Sequence, residues 1–149
     1  NNKNLNLYIV GDGEKKKNLT KYIQSKNLQN NIFLSGHVKN VYPIIRNSLA
    51  LISTSLWEDP GAVMIEASYC NKNVISSRCP NGPEEFLSFG KGGYLFKNND
   101  KEDLINKIFM FLNDSKKIKN KKIILCKKRL KNYTLYNHYR SLKFFLKLN

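Results

Sequence analysis

The segment "LALISTSLWEDPGAVMIEASYCNKNVISS", Leu49–Ser77, contains the pattern that decides the fold. It begins with an apolar run at 49–54, passes through a short loop with two acids at 55–59, and becomes apolar again over 60–70 and 73–77. Short apolar runs predict buried strands, and the middle run is long enough for a helix. The segment therefore predicts a strand–helix–strand unit, from which parallel sheets are built.

The same alternation extends along the first hundred residues. Because the strands are short and apolar, with little polar alternation, we expect helices to cover both faces of the sheet. The order predicts an α/β fold with a Rossmann-like parallel sheet, in a single domain over residues 1–149. The other predicted strands are 5–10, 31–36 and 93–96, and the other predicted helices are 14–27, 41–47, 83–88, 101–114, 115–131 and 134–147.

The composition is that of a globular chain with a strong positive charge. The 149 residues are 41% hydrophobic, and no apolar run approaches the ~20 residues of a membrane span. A formal charge of +15 makes nucleic acid the first partner to consider, as for a basic nucleic-acid-binding module. The cations are mostly lysines amid frequent asparagine, a composition that AT-rich coding produces. An anionic ligand or an anionic membrane surface is therefore favoured over nucleic acid.

The cysteines and the N-terminus bear on the cellular compartment. Cys70, Cys79 and Cys126 are scattered and form no CxxC pair, so they predict neither a disulfide framework nor a zinc site. The start "NNKNLNLYIV" lacks the apolar core and the cleavage site of a signal peptide. We expect a reducing cytoplasm. Because the chain begins almost inside a strand, we also expect it to be a fragment of a larger protein.

Two acids, Glu58 and Glu66, lie eight positions apart around the start of the predicted helix 60–70. Asp59 is a good N-cap residue, and Pro60 suits the first helical position. The first amides of a helix have no intrahelical acceptor, and the helix dipole favours an anion beside them. The segment therefore predicts a phosphate site at the helix start.

Carboxylates beside a phosphate site suit the hydroxyl groups of a ligand, since ionised carboxylates are hydrogen-bond acceptors. Glu58 precedes the cap, and Glu66 lies about 9 Å further along the helix axis. Two hydroxyl acceptors around a phosphate cradle match a nucleotide-sugar, which consists of a sugar, a diphosphate and a ribose. The alternative is that Glu66 is a surface residue or pairs with a nearby lysine.

The segment "EDPGAVMIEA" resembles the E-x7-E motif of retaining family-four glycosyltransferases, which have the GT-B fold. The resemblance continues through "YCNKNVISSRCPNGPEEFLSFGKGGYLFKNND" at 69–100 and covers nearly the whole chain. It implies the donor-binding C-terminal half of a two-domain enzyme. The other similar stretches are "LYIVGDGEKKKNLTKYI", "NIFLSGHV" and "YTLYNHYRSLKFFL".

The resemblance implies a role for each residue of the motif. Glu58, as the catalytic residue, would hold hydroxyl groups of the transferred sugar, and Glu66 would hold the ribose hydroxyls. The amides of Gly61, Ala62 and Val63 would meet the sugar and the diphosphate. The family needs no metal ion, and the resemblance implies no cofactor besides the nucleotide-sugar substrate.

Two further loops are implied to reach the donor. The backbone at Gly36, His37 and Val38 would lie against the base, although a lone loop histidine is more often an exposed surface residue. Asn81 and Gly82, at the end of a strand, would touch the donor. The alternative is that this Pro-Gly segment only caps the short helix at 83–88. For Arg78, a surface role is favoured over phosphate contact, and "GDG" at 11–13 is interpreted mainly as a strand–helix turn.

The chain also departs from the family pattern. Pro60 stands where the family usually has an aromatic residue, which together with "SSRCPNGPEE" fits enzymes that build surface polysaccharides and lipopolysaccharide. The first strand of the family's domain, with an Arg and a Lys that grip the diphosphate, is not found before Leu5. We therefore expect this chain to bind a nucleotide or nucleotide-sugar weakly and not to turn over alone.

The function implied is transfer of a hexose-type sugar, with retention, from a nucleoside-diphosphate sugar, expected to be UDP-linked. The acceptor would be a polysaccharide, a lipopolysaccharide or a lipid-linked glycan, bound through an N-terminal domain. Residues 115–149 are basic, and their apolar residues are expected to pack on the sheet and on that domain. The alternative is a helical region at the inner face of the membrane. The apolar residues concerned are Leu125, Leu142, Phe144 and Phe145.

Overall fold

The structure is a computed structural model that describes residues 5–59 and 61–147. Five strands and seven helices alternate in it much as the apolar runs predict. The strands are β1 Leu7–Val10, β2 Ile32–Gly36, β3 Ala50–Ser53, β4 Asn73–Ser77 and β5 Tyr94–Phe96. The helices are α1 Lys16–Ser25, α2 Tyr42–Asn47, α3 Ala62–Tyr69, α4 Pro83–Phe86, α5 Lys101–Asn113, α6 Lys116–Leu130 and α7 Leu135–Phe145, with a 3₁₀ turn at Lys131–Tyr133.

Every strand pair in the described residues is parallel, which confirms the predicted α/β class. The strands form two sheets, one in the order β1-β2 and one in the order β3-β4-β5. The chain divides between Val41 and Tyr42 into two compact units, each with one of these sheets. The single domain predicted over residues 1–149 stays a prediction.

The first unit is a small sheet with one helix. β1 pairs with β2 from Leu7 opposite Ile32 to Val10 opposite Gly36. Tyr8 is 53% exposed, and of the strand only Ile9 is partly buried, so the prediction of two covered faces is wrong for β1. One helix and a single partner strand supply too little apolar surface within this unit to cover both faces.

The second unit contains the core. All five residues of β4 are buried, because β3 and β5 flank the strand and α3, α5 and α6 pack against it. On one face, Ile75 and Tyr94 pack with Phe111 of α5, whose ring lies edge-on to that of Tyr94 at 5.6 Å. This buried frame holds the loops that follow β3 and β4.

The helices α5, α6 and α7 start where the sequence provides a capping side chain. Asp100, Ser115 and Thr134 each accept a hydrogen bond from the backbone N–H three residues further along. Each such cap stabilises a helix by about 1 kcal/mol, which explains why these helices begin within one residue of the predicted positions.

The C-terminal helix corrects one expectation. No residue of α7 is buried, and Phe144 and Phe145 are each 79% exposed, so their predicted packing on the sheet is wrong. Within the described residues α7 contacts mainly the 3₁₀ turn before it, which leaves most of its surface uncovered. The expected packing of these residues on another domain stays a prediction. Leu125 of α6, in contrast, is half-buried. Within residues 5–59 and 61–147, no helix combines the length and the apolar character that crossing a bilayer requires.

Candidate functional site

The candidate site lies where β3 and β4 end, at Ser53 and Ser77. The carboxyl ends of parallel strands meet at the same edge of a sheet, and ligands of open α/β sheets bind beyond that edge. The loop after β3 carries Glu58 and leads into α3. It is joined to the loop after β4, because the Glu58 N–H donates to the Pro80 carbonyl at 3.3 Å.

Hydroxyl groups hold the half-buried Glu58 in place. The buried Ser53 hydroxyl donates to Glu58 Oε1 at 3.4 Å and lies 3.3 Å from the Ser55 hydroxyl. The Ser77 hydroxyl donates to the Ser55 carbonyl at 2.5 Å, which ties this network to β4. No ion pair of the described residues includes Glu58. Its carboxylate therefore keeps acceptor capacity for a ligand.

Gly61 turns the chain from this loop into α3. It has a left-handed backbone (φ 84°, ψ 62°), and it is the N-cap of a helix that begins at Ala62. The left-handed backbone favours glycine, and a Cβ here would lie 2.3 Å from Met64 Cε and 3.5 Å from Glu58 Oε2, so the Met64 side chain would have to shift. The carboxylate of Glu58 thus packs directly beside the helix start.

The predicted N-cap at Asp59 is wrong. The chain enters the helix through the left-handed turn at Gly61, so Asp59 lies two residues before the cap, and no side chain caps α3. The prediction that Pro60 is the first helical residue falls on a position outside the described residues. Gly61 itself is the cap rather than a helical residue, whereas Ala62 and Val63 are in the first turn, with their side chains exposed.

The start of α3 has the properties of an anion site. The first amides of the helix have no intrahelical acceptor, and the positive end of the helix dipole lies there. Glu66 is four residues beyond Ala62, about 6 Å along the axis and not the predicted 9 Å. It is half-buried, and among the described residues no lysine pairs with it and no side chain hydrogen-bonds to it. The alternative that Glu66 is a surface residue stays open.

The loop after β4, whose Pro80 carbonyl accepts from the Glu58 N–H, also contains two predicted residues, Asn81 and Gly82. Asn81 is exposed with a φ of 63°, and Gly82 has a φ of 130° and caps the short helix α4. Arg78 is paired with Glu84 at 2.5 Å, which agrees with the surface role favoured for it. The capping role of Gly82 is confirmed, and donor contact by Asn81 and Gly82 stays a prediction.

The remaining predicted residues belong to the first unit. Gly36 is buried with a φ of 66°, His37 is exposed and Val38 is half-buried. In the same unit, Asp12 accepts hydrogen bonds from Lys16 at 3.1 Å and from the Gly13 N–H at 2.9 Å. The hydrogen bond from Lys16 is the main reason why the pKa of Asp12 is lowered. The role of Gly36, His37 and Val38 beside a base stays a prediction.

The described residues, 5–59 and 61–147, contain no group of three or more His, Cys, Asp or Glu side chains placed to hold a metal ion. The expectation that neither a metal nor a cofactor is needed stays a prediction. What the site offers chemically is a set of amide donors for an anion, with a carboxylate on either side for hydroxyl groups.

The serine network is the part of the site that sequence reasoning missed. Hydrogen bonds of three serines hold Glu58 or its loop in place: Ser53, Ser55 and Ser77. The sequence does contain a signal for this network, since two neighbouring apolar strands both end in serine. A buried hydroxyl needs a hydrogen-bond partner, so such serines indicate a polar network at the strand ends.

Residues 1–129 match the protein family described as glycosyl transferases group 1. The chain belongs to this family. The match covers most of the chain and includes the loops after β3 and β4. Membership agrees with the resemblance carried by Glu58 and Glu66, and it places the parallel sheets described above within the GT-B fold.

Two named glycosyltransferases are similar to part of the chain. The poly(ribitol-phosphate) α-N-acetylglucosaminyltransferase of Staphylococcus aureus (strain COL) is 32% identical over 108 residues, which are 72% of this chain and 22% of that protein. The poly(glycerol-phosphate) α-glucosyltransferase of Bacillus subtilis (strain 168) is 30% identical over 72% of this chain and 16% of its own length. The chain thus spans less than a quarter of each relative.

Solved structures of the same fold superpose closely. The crystal structure of TarM has a TM-score of 0.83 and 26% identity, over 97% of this chain and 29% of TarM. Anabaena Alr3699/HepE in complex with UDP has a TM-score of 0.84 and 20% identity, over 96% of this chain and 41% of that protein. At this identity the second comparison shows the fold alone.

Proposed function

We propose that this chain is the donor-binding part of a glycosyltransferase that moves a hexose-type sugar from a UDP-sugar, with retention, to a polysaccharide, lipopolysaccharide or lipid-linked acceptor. The observation that carries the proposal is the placement of Glu58 beside Gly61 at the start of α3, with Glu66 further along the same helix. The two carboxylates provide hydrogen-bond acceptors for hydroxyl groups of a ligand. The amides at the start of α3, between them, provide hydrogen-bond donors for a diphosphate.

Glu58 is the proposed sugar-binding and catalytic residue. Its carboxylate is held by a neutral hydroxyl, not by a cation, so it stays a strong acceptor for hydroxyl groups of the transferred sugar. Because the Gly61 backbone lies against this carboxylate, a sugar bound to Glu58 would have its anomeric carbon near the first amides of α3.

The start of α3 is the proposed diphosphate site. As the bond from the sugar to the diphosphate breaks, negative charge grows on the leaving oxygen, and preorganised amide donors stabilise that charge. The amides at Gly61, Ala62 and Val63 would supply this stabilisation together with the helix dipole. Glu66, which has no partner of its own among the described residues, would accept hydrogen bonds from the ribose hydroxyls.

Further contacts to the donor are proposed for two loops. The backbone at Gly36, His37 and Val38 would lie against the base, and Asn81 with Gly82 would touch the donor from the loop after β4. UDP is the proposed nucleotide, because a TarM variant that is 27% identical to this chain forms a crystalline complex with UDP. Retention is supported by the names of both relatives, which specify α-linkages, since the sugar of UDP-glucose is also α-linked.

This chain alone is proposed to bind the donor weakly and not to turn it over. The match covers only 22% and 16% of the two relatives, so the acceptor would be bound by other parts of such an enzyme. Turnover of a UDP-sugar by the 149-residue chain would contradict this part of the proposal.

Calorimetric titration of the chain with UDP, UDP-glucose, GDP-mannose and ATP tests the proposal. We expect UDP and UDP-glucose to bind and ATP not to bind. Glu66→Ala should weaken binding of UDP about 10- to 100-fold, because hydrogen bonds to a charged group are lost. Glu102→Ala, on the exposed first turn of α5, is the matched control and should leave the affinity unchanged.

Two outcomes would contradict the proposed site. One is that no nucleotide or nucleotide-sugar binds to a chain whose circular dichroism shows the helices and strands to be folded. The other is that Glu66→Ala and Glu102→Ala reduce the affinity equally, which would mean that Glu66 acts only through general charge.

A further inference from the structure

The loop after β3 is anchored on both sides of its exposed tryptophan, Trp57. On one side, the Glu58 N–H donates to the Pro80 carbonyl at 3.3 Å. On the other side, the Leu56 carbonyl accepts a hydrogen bond from the side-chain amide of Asn98, Nδ2, at 3.1 Å. Both bonds act on backbone atoms of the loop, so they fix the path of the loop itself.

Asn98 belongs to the loop after β5, and β5 is not a neighbour of β3. In the sheet β3-β4-β5, the middle strand separates the two. Asn98 lies 42 residues from Leu56 in the sequence, and its side chain reaches across the end of β4 to the Leu56 carbonyl. The bond therefore links the loops of the two outer strands at the edge of the sheet where the candidate site lies.

The turn that carries Asn98 is itself fixed. The Asp100 N–H donates to the Lys97 carbonyl at 3.1 Å, and the Lys97 N–H donates to the Asp103 carboxylate at 2.8 Å. Asn99 has the left-handed backbone, with a φ of 57°, that asparagine tolerates in turns. Because the turn connects a buried strand to a capped helix, the amide of Asn98 has a defined position.

The alternative is that Asn98 serves only its own turn. Asparagine is frequent in turns because its side chain bonds to backbone groups a few residues away. The amide of Asn98 bonds instead to the carbonyl of another loop, and Asn98 is exposed, so burial in the core does not account for the bond. What the bond stabilises is the loop that carries Glu58.

We propose that Asn98 is a positioning residue for Glu58. By holding the Leu56 carbonyl, it keeps the loop after β3 in the conformation in which the Glu58 carboxylate meets the transferred sugar. This inference rests on the proposed function, in which Glu58 binds hydroxyl groups of that sugar. Only Trp57 separates Leu56 from Glu58. Without the anchor the loop samples more conformations, and ordering it on binding then costs free energy.

Loss of the Asn98 bond should affect only one end of the donor. In the proposed site, Glu58 binds the sugar, whereas the start of α3 and Glu66 bind the diphosphate and the ribose. The helix α3 packs on β3 and β4, so its position does not depend on the bond from Asn98. The affinity for UDP-glucose should therefore fall without Asn98, and the affinity for UDP should not.

Calorimetric titration of the 149-residue chain with UDP and with UDP-glucose tests the proposal. Asn98→Ala should weaken UDP-glucose about three- to tenfold, the loss expected for one hydrogen bond, and should change the affinity for UDP by less than about 1.5-fold. The matched control is Asn106→Ala, which should change neither affinity. Asn106 is exposed on α5, and its side chain has no hydrogen bond within the described residues.

Two further measurements separate positioning from a general structural effect. In a Glu58→Gln chain, adding Asn98→Ala should cause no further loss of UDP-glucose affinity, because Asn98 acts through Glu58. Trp57, the only tryptophan of the chain, reports on the loop without any ligand. Its fluorescence anisotropy should fall in Asn98→Ala and keep the wild-type value in Asn106→Ala, while circular dichroism shows both variants to be folded.

Three outcomes would overturn the proposal. Equal losses of UDP and UDP-glucose affinity in Asn98→Ala, or losses that add up in the double variant, would show that Asn98 does not act through Glu58. An unchanged anisotropy of Trp57 would show that the bond does not hold the loop, even where nucleotides bind as proposed. Absence of UDP-glucose binding by the folded wild-type chain would instead refute the proposed function, and the role of Asn98 with it.

Discussion

Two loops in this protein have a similar layout but surround their carboxylate differently. Each follows a parallel strand, contains a carboxylate and a glycine, and leads into a helix: Gly11–Gly13 after β1, and 54–61 after β3. In the first, Asp12 is exposed, forms an ion pair with Lys16 and accepts a hydrogen bond from the Gly13 N–H. In the second, Glu58 is held by the Ser53 hydroxyl and lies beside Gly61, with no cation partner among the described residues.

The difference shows what makes an acid at a strand end a candidate ligand group. A carboxylate that is already paired with a lysine stabilises a local turn and has little acceptor capacity left for a ligand. One that is oriented by neutral hydroxyl groups and left without a cation keeps its acceptor capacity. By this criterion Glu58 is a candidate ligand group, and Asp12 belongs to a turn.

Gly61→Ala is expected to have the largest effect. The new Cβ would require a left-handed backbone and would lie 2.3 Å from the fully buried Met64, so we expect a loss of about 2–4 kcal/mol in the free energy of unfolding. Urea denaturation measures this. Gly13→Ala, in the other loop, has no heavy atom within 4 Å of the added Cβ and should change stability by less than about 0.5 kcal/mol. Equal stabilities of the two variants would contradict the difference drawn between the two loops.

Ser53→Ala is expected to have an intermediate effect. The variant removes a buried hydroxyl that donates to Glu58 at 3.4 Å, so the free energy of unfolding should fall by about 1 kcal/mol. As a positioning residue for Glu58, Ser53 should also affect the binding affinity for UDP-glucose but not the affinity for UDP. Ser25→Ala, which removes an exposed hydroxyl bound to the Tyr22 carbonyl, is the control. A loss of UDP affinity equal to the loss of UDP-glucose affinity would argue against the positioning role.

Lys16→Gln is expected to have the smallest effect. It removes the main cause of the lowered pKa of Asp12, so this pKa should rise toward its ordinary value of 3.8 in an NMR titration. A lowered folded-state pKa adds stability that is present above the unfolded-state pKa and is lost as pH falls through the folded-state pKa. In the variant, the contribution of Asp12 to the loss of unfolding free energy at low pH should therefore be smaller. Lys15→Gln, whose lysine pairs with Glu14, should leave the pKa of Asp12 unchanged.

The sequence predicts the order of strands and helices because each short apolar run forms a strand, although only β4 and β5 are buried along their whole length. It also predicts Glu58 and Glu66, whose spacing is a property of the chain alone. It does not predict Gly61 as the cap, because the left-handed turn depends on how Glu58 and Met64 pack around it. It also does not predict the exposure of β1 and α7, since an apolar residue is buried only where another element covers it.

The central claim is that Glu58 and Glu66 bind different ends of one UDP-sugar. Calorimetric titration of Glu58→Gln and Glu66→Gln with UDP and with UDP-glucose tests it most directly. Glu66→Gln should weaken both ligands by the same factor, because both carry the ribose. Glu58→Gln should weaken only UDP-glucose, down to the affinity of UDP. Loss of UDP affinity in Glu58→Gln, or loss of UDP-glucose affinity alone in Glu66→Gln, would contradict the assignment.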